Sequence, residues 1–397
     1  MRRTESKPFN VAVLSVIALL AMSLWFSASA VVPQLTSEWS LSPVMQGWMT
    51  MSVQIGFVVG AIGSALLNLA DRMPAARLIA VSAVAGAVFN AAIPIFSAGP
   101  VSAVVFRFLT GACLAGVYPP GMKVMASWCR EDRGLCIGLL VGALTVGSGL
   151  PHLLNAVASD ASGIPPWRSV MYSTSVLATI AGVASWTLLG SGPHLSKASG
   201  FDWRHAAKGL TDRPTRLANI GYFGHMWELY AVWAWVPVML VVSYERAGLD
   251  ADAARFVSFG IFAVGGVSSI LAGRWADRWG RERITTWSLA VSGACCLLAG
   301  FTIGSPVLLT ILCLVWGFAV IADSAQFSAL VSELADSRYV GTALQVQTSI
   351  GFLLTMVTLQ LVPLLIDAFT YRWAFLVLAL GPVAGIVSMA KLRRARA

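Results

Sequence analysis

"GRWADRWGRER", residues 273 to 283, holds charged or tryptophan side chains at eight of its eleven positions, and the chain is strongly apolar on both sides. A weaker copy, "LLNLADRMPAAR", stands about 206 residues earlier, at 66 to 77. The setting of these two clusters decides the fold. Of the 397 residues, 57% are hydrophobic and only 11% charged, with a mean hydropathy of +0.76. Water-soluble domains carry about 25% charged residues, so most of this chain does not face water. Apolar stretches of roughly 18 to 25 residues are each long enough to cross a hydrocarbon core of about 30 Å. They recur near 10–33, 45–68, 78–97, 101–127, 135–158, 169–190, 217–241, 253–276, 284–304, 306–330, 340–366 and 373–390. About twelve helical spans are expected. The first is too long, and too closely followed by others, to be a cleaved signal peptide.

The formal net charge of +9 invites a nucleic-acid reading, which its distribution excludes. With a cytoplasmic N-terminus, the cytoplasmic segments hold every Lys and Arg outside the spans except Arg168, Arg246, Arg255 and Arg372. Basic residues flanking spans stay inside during insertion. Both termini are therefore expected in the cytoplasm, in a plasma membrane that is read as a bacterial inner membrane. The six cysteines lie in spans or at their cytoplasmic edges, show no metal-ligand spacing, and read as inert small hydrophobes. No metal or cofactor is expected, and no Walker-type loop is present to bring ATP.

Residues 191–216, "SGPHLSKASGFDWRHAAKGLTDRPTR", form the one long polar connector. They divide the spans six and six, into an N-terminal half 1–190 and a C-terminal half 217–397. Ala70-Asp71-Arg72 maps onto Ala276-Asp277-Arg278, and Arg77 onto Arg283. "RGLCIG" and "YVGTAL" set Gly134 against Gly341 at nearly the same offset. Matches at one offset and one topological position indicate a duplication. Parallel halves with a site between them are an architecture of secondary transporters. Each cluster then falls in a short cytoplasmic loop between the second and third spans of its half. There an Asp can meet a helix N-terminus and arginines can meet anionic headgroups, a charged latch on the placement of the halves. A topology anchor alone is the alternative.

The pattern resembles the G-x-x-x-D-R-x-G-R-R/K loop signature of the major facilitator superfamily, and the resemblance covers essentially the whole chain. Gly273, Asp277, Arg278, Gly280 and Arg281 fit the signature. The first copy keeps Asp71, Arg72 and Arg77 but has Leu67, Pro74 and Ala75 where the family has Gly, Gly and Arg. "RFLTG", Arg107 to Gly111, resembles the fourth-span Arg-x-x-x-Gly element. The resemblance implies an all-α membrane protein of twelve transmembrane helices in two pseudo-symmetric six-helix halves, with spans 1, 4, 7 and 10 lining a central cavity. "AGVYPPGMKVMASWCREDRG", residues 115 to 134, resembles the branches that carry small anions such as sugar phosphates, hexuronates and nitrate. Spans 2 and 8 lack the arginines of nitrate carriers, and span 5 lacks the Gly-Pro-x-x-Gly-Gly of typical drug/proton antiporters.

Charges inside a bilayer are costly and are read by default as functional. The spans hold Arg107, His152, His225, Glu228 and Asp323, four of them on spans the family uses to line its cavity. His225 and Glu228 stand three apart, on one helical face. Gln326 follows Asp323 by three. Thr145, Ser148, His152 and Asn155 form one polar stripe, and Gln345, Thr348 and Thr355 another. His152 also fits an interhelical hydrogen bond, and Asp323 a tie to a loop arginine. Tyr222, Trp227 and Tyr230 are candidates to wall a substrate pocket, while Trp233 and Trp235 read as an interfacial belt. The reading is a monomeric secondary transporter, not an enzyme, that couples protons to a small organic solute. An anion held by Arg107 is favoured. The alternative is proton-driven efflux of aromatic or cationic compounds; a membrane-embedded enzyme would need a nucleophile or metal cluster that the sequence does not show, and a non-transporting receptor would not need Glu, Asp and Arg in cavity positions.

Overall fold

A segment crossing hydrocarbon must satisfy every backbone N–H and C=O within itself, and the computed structural model is helical, with no strand among its described residues. The structure describes residues 6–67, 69–129, 133–158, 166–193, 211–335 and 340–396, and for 65, 70, 71, 133, 134, 341 and 342 the backbone alone. The Asp71 carboxylate, the surroundings of Gly134 and Gly341 and the connector over 194–210 lie outside these residues. The chain divides into two compact units, 1–197 and 198–397.

In the first unit, span 1 is the helix Lys7–Met22, followed by turns over 23–28, a 3-10 turn Ser29–Val31 and a short helix Val32–Trp39. Span 2 is Pro43–Leu66 and span 3 is Ala75–Phe96. Span 4 is Pro100–Leu114 continued by Tyr118–Trp128, span 5 Arg133–Val157 and span 6 Pro166–Leu188. In the second unit, span 7 is Arg213–Arg246, span 8 Ala251–Trp279 and span 9 Arg281–Thr302. Span 10 is Pro306–Ala322 continued by Ser324–Leu334, and span 11 lies in Val340–Ala374, whose helix is kinked at Thr370 with φ 64° and ψ 171°. Span 12 is Leu380–Arg396, entered through a 3-10 turn at Leu376–Ala379. Among the described residues, ten helices are long and apolar enough to cross a membrane. Of the other two expected spans, the first is cut short by its turns and the sixth is a full 23-residue helix richer in Ser and Thr.

The helix ends follow local chemistry. Proline opens spans 4 and 10, where its fixed φ fits and its missing N–H costs nothing. Asp212 caps span 7 by accepting from the Thr215 N–H at 3.1 Å and the Thr215 hydroxyl at 2.8 Å. Within the first unit, spans 2 and 4 touch backbone to backbone. A Cβ on Gly111 would stand 1.9 Å from the Val53 carbonyl oxygen, and one on Gly56 1.9 Å from that of Phe108. Only glycine permits this approach.

Three expectations are corrected. The charged signature is not a loop: Gly273 to Trp279 complete span 8, Arg281 opens span 9, and Gly280 alone turns the chain. Its φ of 91° lies in the region that a Cβ disfavours. Trp233 and Trp235 are not an interfacial belt. Both are buried, Trp235 donating to the Leu359 carbonyl of span 11 at 3.1 Å and Trp233 packing on Tyr230 and Phe262. Nor are all six cysteines free, because Cys129 and Cys136 are joined across the end of span 4 and the start of span 5.

Candidate functional site

In the second unit span 10 is broken near its middle, and the break carries a carboxylate. Span 10 stops at Ala322, Asp323 turns with φ −91° and ψ −18°, and Ser324 restarts the helix. The Asp323 carbonyl accepts from the N–H groups of Gln326 and Phe327 at 2.9 and 3.2 Å. Its side chain meets span 7, where Asp323 Oδ1 lies 2.9 Å from His225 Nδ1. That is an ion-pair distance, with the atoms off the angles of a hydrogen bond. His225 Nε2 has no hydrogen-bond partner. Both residues are at most 1% exposed, roofed by Tyr222 and Phe327 at ring separations of 6.0 and 5.9 Å from the imidazole.

Glu228, one turn along span 7, is fully buried and turned elsewhere. Its Oε2 accepts from the Cys296 thiol of span 9 at 3.2 Å, and its Oε1 makes no hydrogen bond. Trp316 of span 10 closes this side, donating to Ser292 of span 9 at 3.1 Å. The shared face of His225 and Glu228 therefore does not pair them with each other. Span 7 directs the imidazole to span 10 and the carboxyl to span 9. Buried polar groups are nearly always satisfied, yet His225 Nε2 and Glu228 Oε1 carry no hydrogen bond, and Asp323 Oδ1 has only its ion pair with His225.

The aromatic residues of span 7 separate in the same way. Tyr222 lies against Phe327 and the backbone of Gly351, facing spans 10 and 11, and Tyr230 lies against Phe352 of span 11. Trp227 instead donates to the Val377 carbonyl at 3.0 Å, toward span 12. In span 11 Gln347, Thr355 and Thr358 are fully buried, Gln347 with neither amide atom paired, whereas Gln345 and Thr348 are half-buried. The sequence pattern misses Gln347 because it follows the neighbouring stripe.

Gln326 connects this region to the charged signature. Arg281 donates to Gln326 Oε1 and to Glu333 Oε1, each at 2.7 Å, and its Nη2 lies 3.3 Å from Asp277. One guanidinium thus holds the end of span 8, the start of span 9 and the second helix of span 10. Gly273 is buried inside span 8, and Arg278 is exposed. In the first unit Arg72 is exposed.

Arg107 is the buried cation of the first unit. Its Nε donates to the Met49 carbonyl at 3.2 Å, and Nη1 to the Leu24 carbonyl at 2.7 Å and the Ser27 hydroxyl at 2.9 Å. Nη2 donates to the Trp25 carbonyl. The reason is local, since span 1 unwinds over 23–28 and offers carbonyls that its own helix no longer uses. No carboxylate among the described residues pairs with the charge. Ser27 passes the network on to Asn90 Oδ1 at 2.7 Å, and Asn90 donates to Met171, Thr174 and Ser175 of span 6. Nothing in the sequence marks Ser27 or Asn90 apart from other polar residues of the spans. The span 5 stripe, with His152, is buried. Its Asn155 holds the Ala30 carbonyl at 2.9 Å and accepts from Gln34, so the stripe faces span 1.

The family model described as Major Facilitator Superfamily matches residues 13–245 and 218–397. The "4-hydroxybenzoate transporter PcaK" of Acinetobacter baylyi is 21% identical over 358 residues, covering 81% of this chain and 76% of that protein. Its namesake in Pseudomonas aeruginosa is 23% identical over 357 residues, covering 81% and 78%. Among solved structures, a bacterial homolog of the human lysosomal transporter Spinster, inward-facing and occupied, superposes with a TM-score of 0.75 at 15% identity, covering 98% of each chain. The proton:xylose symporter XylE gives 0.71 at 14% identity, covering 97% of this chain and 96% of that one.

Proposed function

The chain belongs to the Major Facilitator Superfamily, and from that premise we propose that it is a secondary active transporter coupling protons to a small organic anion, with aromatic carboxylates as the substrate class. As a member of a transporter family it is not an enzyme. The observation that carries the proton coupling is the set of His225, Asp323 and Glu228 in one unit, all withdrawn from water, the first two paired with each other and Glu228 Oε1 making no hydrogen bond. A carboxyl or imidazole buried in a membrane protein changes charge by taking or giving a proton, and such groups mark proton pathways. Two of them on span 7, directed at different neighbouring spans, give protonation a hold on how spans 7, 9 and 10 pack.

The anion preference rests on Arg107, a buried charge with no acid beside it among the described residues, and on its surroundings. Trp25, whose carbonyl it holds, packs its ring 5.1 Å from that of Phe57. A guanidinium next to an aromatic pair suits a ligand with a carboxylate on a ring. The relatives named for 4-hydroxybenzoate transport point to the same class. His152 and Gln326 belong to the polar interiors of their units, and Tyr222 and Tyr230 supply ring surface near the titratable group. The protein works as a monomer in a bacterial inner membrane with both termini in the cytoplasm, as its basic residues suggest.

Purified protein in proteoliposomes, given 4-hydroxybenzoate and an imposed pH gradient, tests this reading. Accumulation is expected only with the gradient. Glu228→Gln and Asp323→Asn are expected to lose accumulation and keep exchange of substrate across the membrane. Accumulation indifferent to the gradient, or unaffected in both variants, removes proton coupling. Transport of aromatic cations but not of carboxylates replaces the anion reading with the efflux one.

A further inference from the structure

On the outer face of the second unit, spans 8, 9 and 10 leave a groove of about 420 Å³. Its walls include Val264 and Trp275 of span 8, Trp287 and Val291 of span 9, and Val315 and Phe318 of span 10. Trp287, Val291 and Val315 are exposed at its rim, so the groove opens away from the core of the unit. Along span 8 the lining runs from Val264 to Trp275, about 16 Å at 1.5 Å per residue. That is half of a hydrocarbon core of about 30 Å, the depth of one leaflet.

The groove ends where charge begins. Trp275 stacks on Trp279 at 6.1 Å, and Trp279 meets Trp287 edge-on at 6.0 Å. This tier of rings is typical of the membrane–water boundary. Arg278 lies one turn beyond Trp275, and Arg283 one turn before Trp287. The acids at this end are already engaged: Asp277 and Glu333 with Arg281, and Glu282 with Arg396 at 2.7 Å. Arg278 and Arg283 are exposed and have no acidic partner among the described residues. Two exposed arginines, without an acidic partner among the described residues, therefore stand one helical turn from tryptophans that line an apolar groove one leaflet deep.

We propose that this groove binds one anionic phospholipid, with an acyl chain between Trp275, Trp287 and Phe318 and its phosphate held by Arg278 and Arg283. Neither half suffices alone. The groove accepts the tail of any lipid, and the arginines accept any phosphate, but their spacing selects a molecule with both. Because the same helix ends carry Asp277 and Arg281, a lipid seated here touches the signature turn at Gly280 directly.

Tryptophan quenching by lipids brominated on the acyl chain tests the site in the full-length protein in detergent micelles. The difference between the parent and Trp287→Leu isolates the groove signal from the other tryptophans. Brominated phosphatidylglycerol is expected to quench that signal at a lipid fraction on the order of ten-fold lower than brominated phosphatidylcholine, the scale of two arginines at a membrane surface. Arg278→Gln with Arg283→Gln should erase the preference while leaving quenching by phosphatidylcholine in place; both side chains are exposed, so the fold survives. Ser288→Phe, which fills the groove, should abolish quenching by either lipid. Equal quenching by the two lipids in the parent overturns the proposal, as does a preference that persists without both arginines. Competition by glycerol phosphate as effective as by the lipid would make this a site for free phosphate and overturn it too.

Discussion

Replacing Arg107 by alanine removes four hydrogen bonds from the middle of the first unit. It takes the Arg107 donor from the carbonyls of Leu24, Trp25 and Met49 and from the hydroxyl of Ser27, while Leu24 keeps the Ser27 hydroxyl as a donor at 3.0 Å. A buried acceptor left unpaired costs about 1–3 kcal/mol. If half of the four find no substitute, the loss is about 2–6 kcal/mol, which for a unit of this size lowers the melting temperature on the order of 10 °C. Arg107→Lys keeps the charge and three donors but loses the planar fork, so about half that loss is expected. Thermal unfolding of the purified protein reads the magnitude, and amide hydrogen exchange over residues 23–31 reads the place, since the unwound stretch of span 1 should exchange faster in Arg107→Ala. A melting temperature within about 2 °C of the parent, with unchanged exchange over 23–31, would refute the clamp. If 4-hydroxybenzoate binding fell in that same variant, Arg107 would act on the substrate alone.

Cys296→Ala removes the thiol hydrogen bond to Glu228 Oε2 and is expected to shift the pH profile of uptake, whereas Cys113→Ala, on span 4 of the first unit, should not; identical profiles would separate Glu228 from the coupling. Asp277→Asn breaks an exposed pair worth about 0–1 kcal/mol, so stability should hold while spin-label distances between the two units shift; unchanged distances would reduce Asp277 to a topology mark. Gly111→Val places its Cβ on the Val53 carbonyl, and spans 2 and 4 must part. Loss of folded protein on size-exclusion chromatography is expected, and a normal yield would show that the contact yields.

Sequence carries the helical architecture because a bilayer leaves little choice: run length suffices to find the helices. It carries the identity of the buried ionisable groups for the same reason, since each is an exception in an apolar run. It does not carry their partners. Periodicity puts His225 and Glu228 on one face, but a face about 100° wide reaches two neighbouring helices, and packing sends one to span 10 and the other to span 9. Ser27 and Asn90 are illegible because serine and asparagine are tolerated in spans for many reasons. Their role follows from span 1 unwinding at 23–28, which no composition rule locates. The signature turn reads as a loop because charge usually marks loops, whereas here a single glycine reverses the chain.

Gly111 and Gly317 occupy matching places, each pressed against a backbone carbonyl of the second span of its own half, Val53 and Ile261 respectively. In that register Arg107 stands opposite Cys313, Glu228 opposite Met22, and His225 opposite Leu19. The two copies of the ancestral half have thus kept their joints and divided their chemistry, one retaining a cation and the other the acids. Once that division was made, neither copy could drift back or stand in for its twin. A tandem of two first halves would inherit the packing of the fold and the buried His152, but no counterpart of Glu228 or Asp323. The duplication is symmetric as a scaffold and irreversible as a machine.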